Sequence, residues 1–287
     1  MSGVAVSPAR RQNSTGRRLT LRTVIAVLIA VPFIVPFLFL IATATREHGD
    51  YLDSPGGWPR SFTLDHIVDA WQQADLGRAL VNTLLMCLVA CLVCASTSLA
   101  GGYFFRINQA RWTGPARMLL GAGYAIPMVA WLIPVFVIVA QAGWTGNIYV
   151  AGVVNGVSSL PFGFFFVHTF LKQSLTDEVI EAATLDGAGV FRAFWNIGIP
   201  MALPAISAVL ALTFVWSFGD LLVAATLLQS NTDAYTLPLA ATTLTTREDV
   251  NLQGQAAAAL VSLLPTLVVF AVAQKALKQG FGGGSEK

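Results

Sequence analysis

Six apolar runs, each long enough to cross a bilayer, constrain what this chain can fold into. They cover residues 23–44, 79–103, 118–140, 148–171, 205–228 and 256–274. A helical span needs about 20 apolar residues, and its backbone N–H and C=O groups must be paired internally because lipid offers no partners. Over all 287 residues, 55% are hydrophobic and only 11% are charged. The sequence therefore predicts an all-α integral membrane protein with six transmembrane helices.

The basic residues predict which side of the membrane each loop occupies. With residues 1–22 placed in the cytoplasm, 13 of the 17 Lys and Arg residues lie on the cytoplasmic side: Arg10, Arg11, Arg17, Arg18, Arg22, Arg106, Arg111, Arg117, Lys172, Arg192, Lys275, Lys278 and Lys287. The outer side holds only Arg46, Arg60, Arg78 and Arg247. This asymmetry satisfies the positive-inside rule, so both termini are expected in the cytoplasm.

The same pattern divides the chain. Residues 1–22 are predicted to be a disordered cytoplasmic tail, and 276–287 a second cytoplasmic tail. Residues 45–78, with their turn cluster 54–57, are predicted to be an extracytoplasmic loop carrying one amphipathic helix near 64–76. Residues 79–275 form a core of five spans. A cleaved signal peptide is the alternative for 23–44, although this apolar run is long for one.

A polar, glycine-punctuated segment at 174–204 separates the fourth and fifth spans. Ser174 and Thr176 can cap a helix, and Asp177, Glu178 and Glu181 place negative charge in its first turns. This pattern predicts a short helix that starts near Asp177. Gly187 predicts a turn, and a second short apolar helix follows, which Pro200 and Pro204 are expected to limit. A membrane span would not tolerate this charge, so the segment is predicted to be a hairpin at the membrane surface.

This hairpin contains the sequence pattern E-A-A-x3-G-x9-I-x-I-P, which runs from Glu181 to Pro200. The pattern resembles the EAA signature of permease subunits in binding-protein-dependent ABC importers, E-A-A-x3-G-x9-I-x-L-P, with Ile199 in place of Leu. The resemblance implies a type I importer permease fold and a cytoplasmic coupling-helix hairpin that docks into a cleft of an ATPase. The coupling residues it implies are Glu181, Ala182, Ala183, Asp186, Gly187, Ile197 and Pro200. An interfacial amphipathic loop with no partner is the alternative.

Four shorter segments resemble the carbohydrate branch of these permeases. They are 80–84, with Asn82; 160–162, L-P-F; 218–222, where Phe218 and Gly219 replace the usual Trp and Asn; and 235–239, Y-T-L-P-L. Together with Pro127 and Pro134, they are similar to the maltose permease MalG. The resemblance implies sugars or oligosaccharides as cargo, while a peptide, polyamine or phosphoester remains open.

The implied partners are a second, MalF-like permease, two copies of an ABC ATPase and an extracytoplasmic solute-binding protein. This chain has no G-x-x-x-x-G-K-[ST] motif and no catalytic constellation, so ATP and Mg²⁺ are expected on the ATPase and no cofactor or metal here. Its net charge of +2 does not favour nucleic acid as a partner. We expect a pore-forming, non-enzymatic subunit, surrounded by lipid in the cytoplasmic membrane of a bacterium or archaeon.

Asp220 is the only acid in a predicted span. Its burial costs roughly 2.5–3.5 kcal/mol on insertion scales, so an intramembrane acid is a candidate for function. It is expected either to accept a hydroxyl of a polar solute or to be a structural partner to neighbouring polar groups. The other candidates for the substrate path are Asn82, Trp131, Asn155, Ser158, Trp216 and Ser217, each also typical of helix packing. An ion-coupled secondary transporter using Asp220 is the alternative function.

Two further groups admit two interpretations. Tyr235, Thr236, Leu237 and Pro238 in the last outer loop are expected either to contact the solute-binding protein or to pack over the outer mouth.

Cys87, Cys91 and Cys94 share one helix face, so a metal or redox site is one interpretation of them. No His or acid accompanies them in the run, however. Packing as small apolar residues is therefore the prediction for the cysteines.

Overall fold

The computed structural model describes residues 13–54, 56–108, 110–244 and 251–282. The predictions for residues 1–12 and 283–287 of the tails, for Pro55 in the turn cluster and for Arg247 lie outside these ranges. Within them, an isolated antiparallel bridge between Arg46 and Phe62 is the only strand-like pairing. The described chain is otherwise helical.

The described residues form thirteen α-helices, a π-helical turn and a 3₁₀ turn. The α-helices are α1 (Asn13–Ala44), α2 (His48–Asp53), α3 (Asp65–Gln73), α4 (Leu76–Ile107), α5 (Thr113–Ala125), α6 (Met128–Gln141), α7 (Ile148–Ser174), α8 (Asp177–Leu185), α9 (Val190–Ala193), α10 (Ile199–Phe218), α11 (Leu222–Leu227), α12 (Leu237–Thr242) and α13 (Leu252–Gly282). The π-helical turn, Phe194–Gly198, joins α9 to α10, and the 3₁₀ turn spans Thr232–Ala234. The predicted amphipathic helix near 64–76 is α3.

Five segments of the described chain are long and apolar enough to span a membrane, and a bent pair makes a sixth. The five are Thr23–Ala44, Leu76–Ile107, Ile148–Ser174, Val190–Phe218 and Leu252–Ala271. The sixth, predicted over 118–140 with two prolines, is divided into α5 and α6, which meet at an angle of 97°. Pro127 causes the break: it has no N–H and holds Ile126 in an extended conformation with ψ 121°. Pro134, in contrast, lies inside α6.

The second helix of the hairpin does not stop at its prolines, so that prediction is wrong. The chain runs as one helical segment from Val190 to Phe218 and passes from α9 through the π-helical turn into α10. Pro200 lies in the first turn of α10, directly after the π-helical turn, and Pro204 lies within the helix. The fifth predicted span, 205–228, instead breaks after Phe218.

The terminal helices also extend beyond the predicted spans. α1 begins at Asn13, so residues 13–22 of the predicted disordered tail are helical. α13 continues to Gly282, well into the predicted tail 276–287. Elongating a helix from an already formed span costs much less than nucleating one, which explains both extensions.

A buried arginine organises the outer segment between α1 and α3. The Arg46 side chain is 3% exposed; its Nε donates to Asp50 Oδ2 at 3.0 Å, and its other nitrogens donate to the carbonyls of Ser54 and Trp58. The pKa of Asp50 is lowered, first by the hydrogen bond from the backbone N–H of Arg60 and then by Arg46. The segment predicted as a loop therefore contains an ordered turn fixed by charge-assisted hydrogen bonds.

The helices α4 and α7 approach closely through glycines. A Cβ added at Gly152 would lie 2.8 Å from the carbonyl oxygen of Met86, and one at Gly156 would lie 2.8 Å from that of Ala90. The G-x-x-x-G spacing of Gly152 and Gly156 places both on one face of α7, as in close helix pairs in membranes. These glycines therefore set the distance between the two helices.

The three cysteines pack where α4 meets α10. All three are free and buried. The thiol of Cys91 points at the carbonyl of Leu210, at 3.6 Å, and Cys94 Sγ accepts from the Thr213 hydroxyl at 3.4 Å. Their positions agree with the predicted packing role.

We predict that Gly156→Val destabilises the fold by about 1–3 kcal/mol, because the added side chain must push α4 and α7 apart. The measurement is thermal or denaturant unfolding of the purified protein in detergent. Val157→Leu is the matched control, since Val157 is the next residue and is 51% exposed. Equal stability of the two variants would contradict glycine-limited packing.

Candidate functional site

The turn of the hairpin between α8 and α9 depends on Gly187. The N–H of Ala188 donates to the Ala183 carbonyl at 2.9 Å, and the N–H of Gly187 donates to the Thr184 carbonyl at 3.0 Å. This pair of bonds is a Schellman motif, whose C′ residue adopts a left-handed conformation. Gly187 has φ +70°, which a residue with a side chain adopts only with strain. The predicted turn is thus present at the predicted glycine.

Two contacts hold the hairpin against the end of α4. Arg106, whose side chain is 10% exposed, donates from Nε to the Leu175 carbonyl and from Nη2 to Asp177 Oδ1, both at 2.8 Å. Tyr103 packs edge-to-face on Phe194 with ring centroids 5.1 Å apart, and its ring lies where Gly198 leaves room for it. Neither Arg106 nor Tyr103 was singled out for this role from the sequence. In the sequence, the one indication of this anchoring role is that Arg106 and Tyr103 lie at the end of a span.

The residues of the signature divide into an exposed group and a packed group. The exposed group is Glu181, Ala182, Asp186, Gly187 and Pro200. Ala183 is 8% exposed, and Ile197 packs into the apolar cluster around Tyr103. The exposed group is accessible to a partner, whereas the side chains of Ala183 and Ile197 pack inside the hairpin.

Large apolar side chains surround the exposed group. Leu185 is 90% exposed and Phe191 77%, while Trp195 is 57% exposed. Between α8 and α9 lies a largely apolar cavity of ≈ 200 Å³. In the first turn of α8, the pKa of Glu178 is lowered, chiefly by a hydrogen bond from the Thr176 side chain. The hairpin therefore presents an apolar rim with negative charge beside it.

A second polar site lies where the helical segment breaks after Phe218. Asp220 Oδ2 accepts from the backbone N–H groups of Val223 at 3.1 Å and Ala224 at 3.3 Å, so it caps α11. Asn155 of α7 donates to the same oxygen at 3.5 Å and is 4% exposed. The hydroxyl of Ser158 donates to the Asn155 carbonyl at 2.7 Å. The structure thus brings together two of the seven candidates for the substrate path, Asp220 and Asn155, whereas Ser158 bonds only to its own helix.

The other four candidates make different contacts. Asn82 donates to the carbonyls of Asp233 at 2.8 Å and Tyr235 at 3.0 Å, so it clamps the last outer segment. Trp216 packs edge-to-face on Phe162 and is 47% exposed. Ser217 is buried, and Trp131 packs against an apolar cluster.

Two residues predicted to contact a binding protein are inaccessible. Thr236 and Leu237 are both 0% exposed, because the Leu237 N–H donates to the buried hydroxyl of Thr83 at 2.8 Å and draws the start of α12 inward. For these two the burial agrees with the packing alternative rather than with direct contact to a binding protein. Tyr235 and Pro238 are half-buried.

An exposed ion pair that sequence reasoning missed lies beside this outer segment. Arg78 pairs with Asp233 and with Asp75. These residues line a cavity of ≈ 310 Å³ together with Asn82 and Tyr235. This segment therefore presents charge beside Tyr235, while Thr236 and Leu237 are buried.

The sequence was compared with known families and proteins. The profile of the family described as "Binding-protein-dependent transport system inner membrane component" matches residues 97–282. The melibiose/raffinose/stachyose import permease protein MelC of Bacillus subtilis is 26% identical over 92% of this chain and 95% of MelC. The diacetylchitobiose uptake system permease protein NgcG of Streptomyces coelicolor is 27% identical over 96% and 92%. The osmoprotective compounds uptake permease protein GgtD of Synechocystis is 28% identical over 99% of both chains.

Two solved structures share the fold. One is a bacterial ABC transporter involved in the import of the acidic polysaccharide alginate, with a TM-score of 0.74, 15% identity, and coverage of 94% of this chain and 99% of that one. The other is a bacterial alginate ABC transporter in complex with an alginate pentasaccharide-bound periplasmic protein, with a TM-score of 0.68, 17% identity, and coverage of 92% and 96%. These likenesses confirm the predicted fold.

We predict that Gly187→Val loosens the hairpin by about 1–2 kcal/mol, because a β-branched residue in a left-handed conformation strains the turn. Amide hydrogen exchange over residues 177–193 should then be roughly five- to thirtyfold faster. Gly189→Val is the matched control: Gly189 has φ −65°, and a Cβ at either glycine meets nothing within 4 Å. Equal acceleration in both variants would show that the turn does not depend on the positive φ.

Proposed function

This chain belongs to the family of inner membrane components of binding-protein-dependent transport systems, and from that premise we propose that it is a pore-forming permease subunit of an ATP-driven importer of sugars or oligosaccharides. The observation that carries this proposal is the anchored, projecting hairpin. ATP and Mg²⁺ are then bound by a separate ATPase, present in two copies. A second, MalF-like permease completes the pore, and an extracytoplasmic solute-binding protein delivers the cargo.

The geometry of the hairpin supports a role in coupling. Its exposed acid and apolar rim form a surface for a partner, while Arg106 and Tyr103 tie its base to α4. α9 continues through the π-helical turn into α10. A displacement of the hairpin by an ATPase is therefore transmitted directly to two spans. This arrangement requires the hairpin and both termini in the cytoplasm, in the cytoplasmic membrane of a bacterium or archaeon.

The cargo is proposed from the relatives and from the polar site at the break. MelC and NgcG are named for oligosaccharides, and the alginate transporter is complexed with a pentasaccharide-bound protein. A carboxylate and an amide at the break suit a solute rich in hydroxyls, since hydroxyls both donate and accept. GgtD is named for osmoprotective compounds, so another polar solute is the alternative cargo.

The proposal is tested by purifying the tagged chain from its native host in a mild detergent and identifying the co-eluting proteins by mass spectrometry. We expect an ATPase with a P-loop and a second permease. A homo-oligomer without an ATPase, reproduced in a second mild detergent, would overturn the proposal and favour an ion-coupled transporter.

We predict that Glu181→Ala abolishes the ATPase activity that the loaded binding protein stimulates, because it removes the exposed acid of the docking surface. Binding of solute to the isolated binding protein should be unchanged. Both are measured with the reconstituted complex. Glu47→Ala removes an exposed acid from the other side of the membrane and should leave stimulation intact. Normal stimulation in Glu181→Ala would rule out this coupling role.

The role of Asp220 is tested by comparing Asp220→Asn with Asp220→Ala. Asn caps a helix about as well as Asp, so Asp220→Asn keeps the cap of α11 but removes the charge, whereas Ala removes both. If the carboxylate accepts a solute hydroxyl, we expect Asp220→Asn to lower uptake at least tenfold, with unfolding unchanged. Wild-type uptake in Asp220→Asn, together with loss in Asp220→Ala, would assign Asp220 to capping alone.

A further inference from the structure

A basic cavity of ≈ 230 Å³ lies beside the base of the hairpin, between α4, α5 and α7. Its lining residues are Phe105, Arg106, Asn108, Thr113, Arg117, His168 and Lys172. Three of these are cations, they come from three different helices, and none of the seven is acidic. The fold therefore gathers positive charge around a partly open cavity.

A buried histidine positions one of these cations. His168 is 7% exposed and its ring stacks on Phe164 with an interplanar angle of 2°. Its Nε2 lies 3.2 Å from an Arg117 guanidinium nitrogen, and its Nδ1 lies 3.4 Å from the Gly102 carbonyl oxygen. Because a guanidinium only donates, Nε2 accepts and Nδ1 carries the proton. The imidazole is thus neutral and holds Arg117 at the cavity.

The charges around the cavity are incompletely compensated. Arg106 is paired with Asp177. Arg117 and Lys172 make no ion pair with any described residue. Repulsion between like charges is stronger where water is partly excluded, and a bound anion would lower its energetic cost. The cavity lacks that anion among the described side chains.

The neighbouring surface is that of a membrane interface. Trp112 is 52% exposed and packs against Phe104 and Phe105 with ring centroids 5.8 Å away in each case. Met118 and Leu119 of α5 are 80% and 74% exposed. Exposed aromatic residues beside an apolar helix face are typical of the headgroup level, where basic pockets between helices bind lipid headgroups.

We propose that this cavity is a binding site for a phosphate group, with Arg117 and Lys172 as its charged ligands. Guanidinium groups match phosphate oxygens in charge and in donor geometry. The phosphate is supplied either by an anionic phospholipid headgroup or by a free phosphate ion. The site is independent of the cargo, since it shares no residue with the site at Asp220.

The test uses the full-length chain in detergent with three probes: phosphatidylglycerol, phosphatidylcholine and inorganic phosphate. Native mass spectrometry measures the lipid-bound fraction, and thermal unfolding measures stabilisation by each probe. Arg117→Gln should weaken phosphatidylglycerol binding about fivefold. Arg111→Gln is the matched control, because Arg111 is an exposed cation in the loop just before α5 and does not line the cavity. Lys172→Gln, at an exposed position, provides a second variant should Arg117→Gln fold poorly.

A lipid headgroup site is identified if the chain binds phosphatidylglycerol in preference to phosphatidylcholine. This preference should be lost in Arg117→Gln and kept in Arg111→Gln. Stabilisation by inorganic phosphate, with the same dependence on Arg117 or Lys172, would identify a free-ion site. Equal effects of Arg111→Gln and the cavity variants, or no preference for either anionic probe, would overturn the proposal.

Discussion

The close approach of α4 and α7 is the packing constraint on which the polar sites depend. Gly152 and Gly156 let α7 lie directly against the backbone of α4 and against the side chains of Val89 and Val93. In a bilayer the hydrophobic effect does not drive two helices together, because lipid tails are as apolar as the side chains. Close van der Waals packing supplies the free energy of association instead. α4 then carries the hairpin anchor Arg106 at one end and the outer clamp Asn82 near the other. α7 supplies Asn155 to the site at Asp220 and His168 to the basic cavity.

The hairpin separates the residues that fix its shape from those left free to bind. Ala183 and Ile197 are packed, Gly187 closes the turn, and Arg106 ties the first helix to α4. Each of these residues has a structural role that a different side chain would disturb. Glu181, by contrast, makes no ion pair with any residue that the structure describes, and the proposed docking to an ATPase would account for an acid at this position.

How far the sequence predicted the structure depended on whether a feature is local. The start of α8 at Asp177 and the turn at Gly187 follow from acidic residues in a first helical turn and from the backbone freedom of glycine, and both were predicted correctly. The prolines were harder, because their effect depends on whether the missing N–H was needed. Pro127 breaks a span, whereas Pro200 falls in a first turn and Pro204 lies in a continuous helix. The burial of Thr236 and Leu237 depends on Thr83, more than 150 residues away, and no local pattern reports it.

The site at Asp220 shows how an acid is held at the break between α10 and α11 while part of it stays available. Its Oδ2 accepts from Asn155 and from two backbone N–H groups, which offsets much of the cost of burying the charge. Its Oδ1 has only a long contact, 3.4 Å, with the Val223 N–H, and the residue is half-buried rather than enclosed. A carboxylate serving only as a cap would need one oxygen. The second oxygen, Oδ1, keeps most of its acceptor capacity, and it is the atom that the proposed contact with a solute hydroxyl would use.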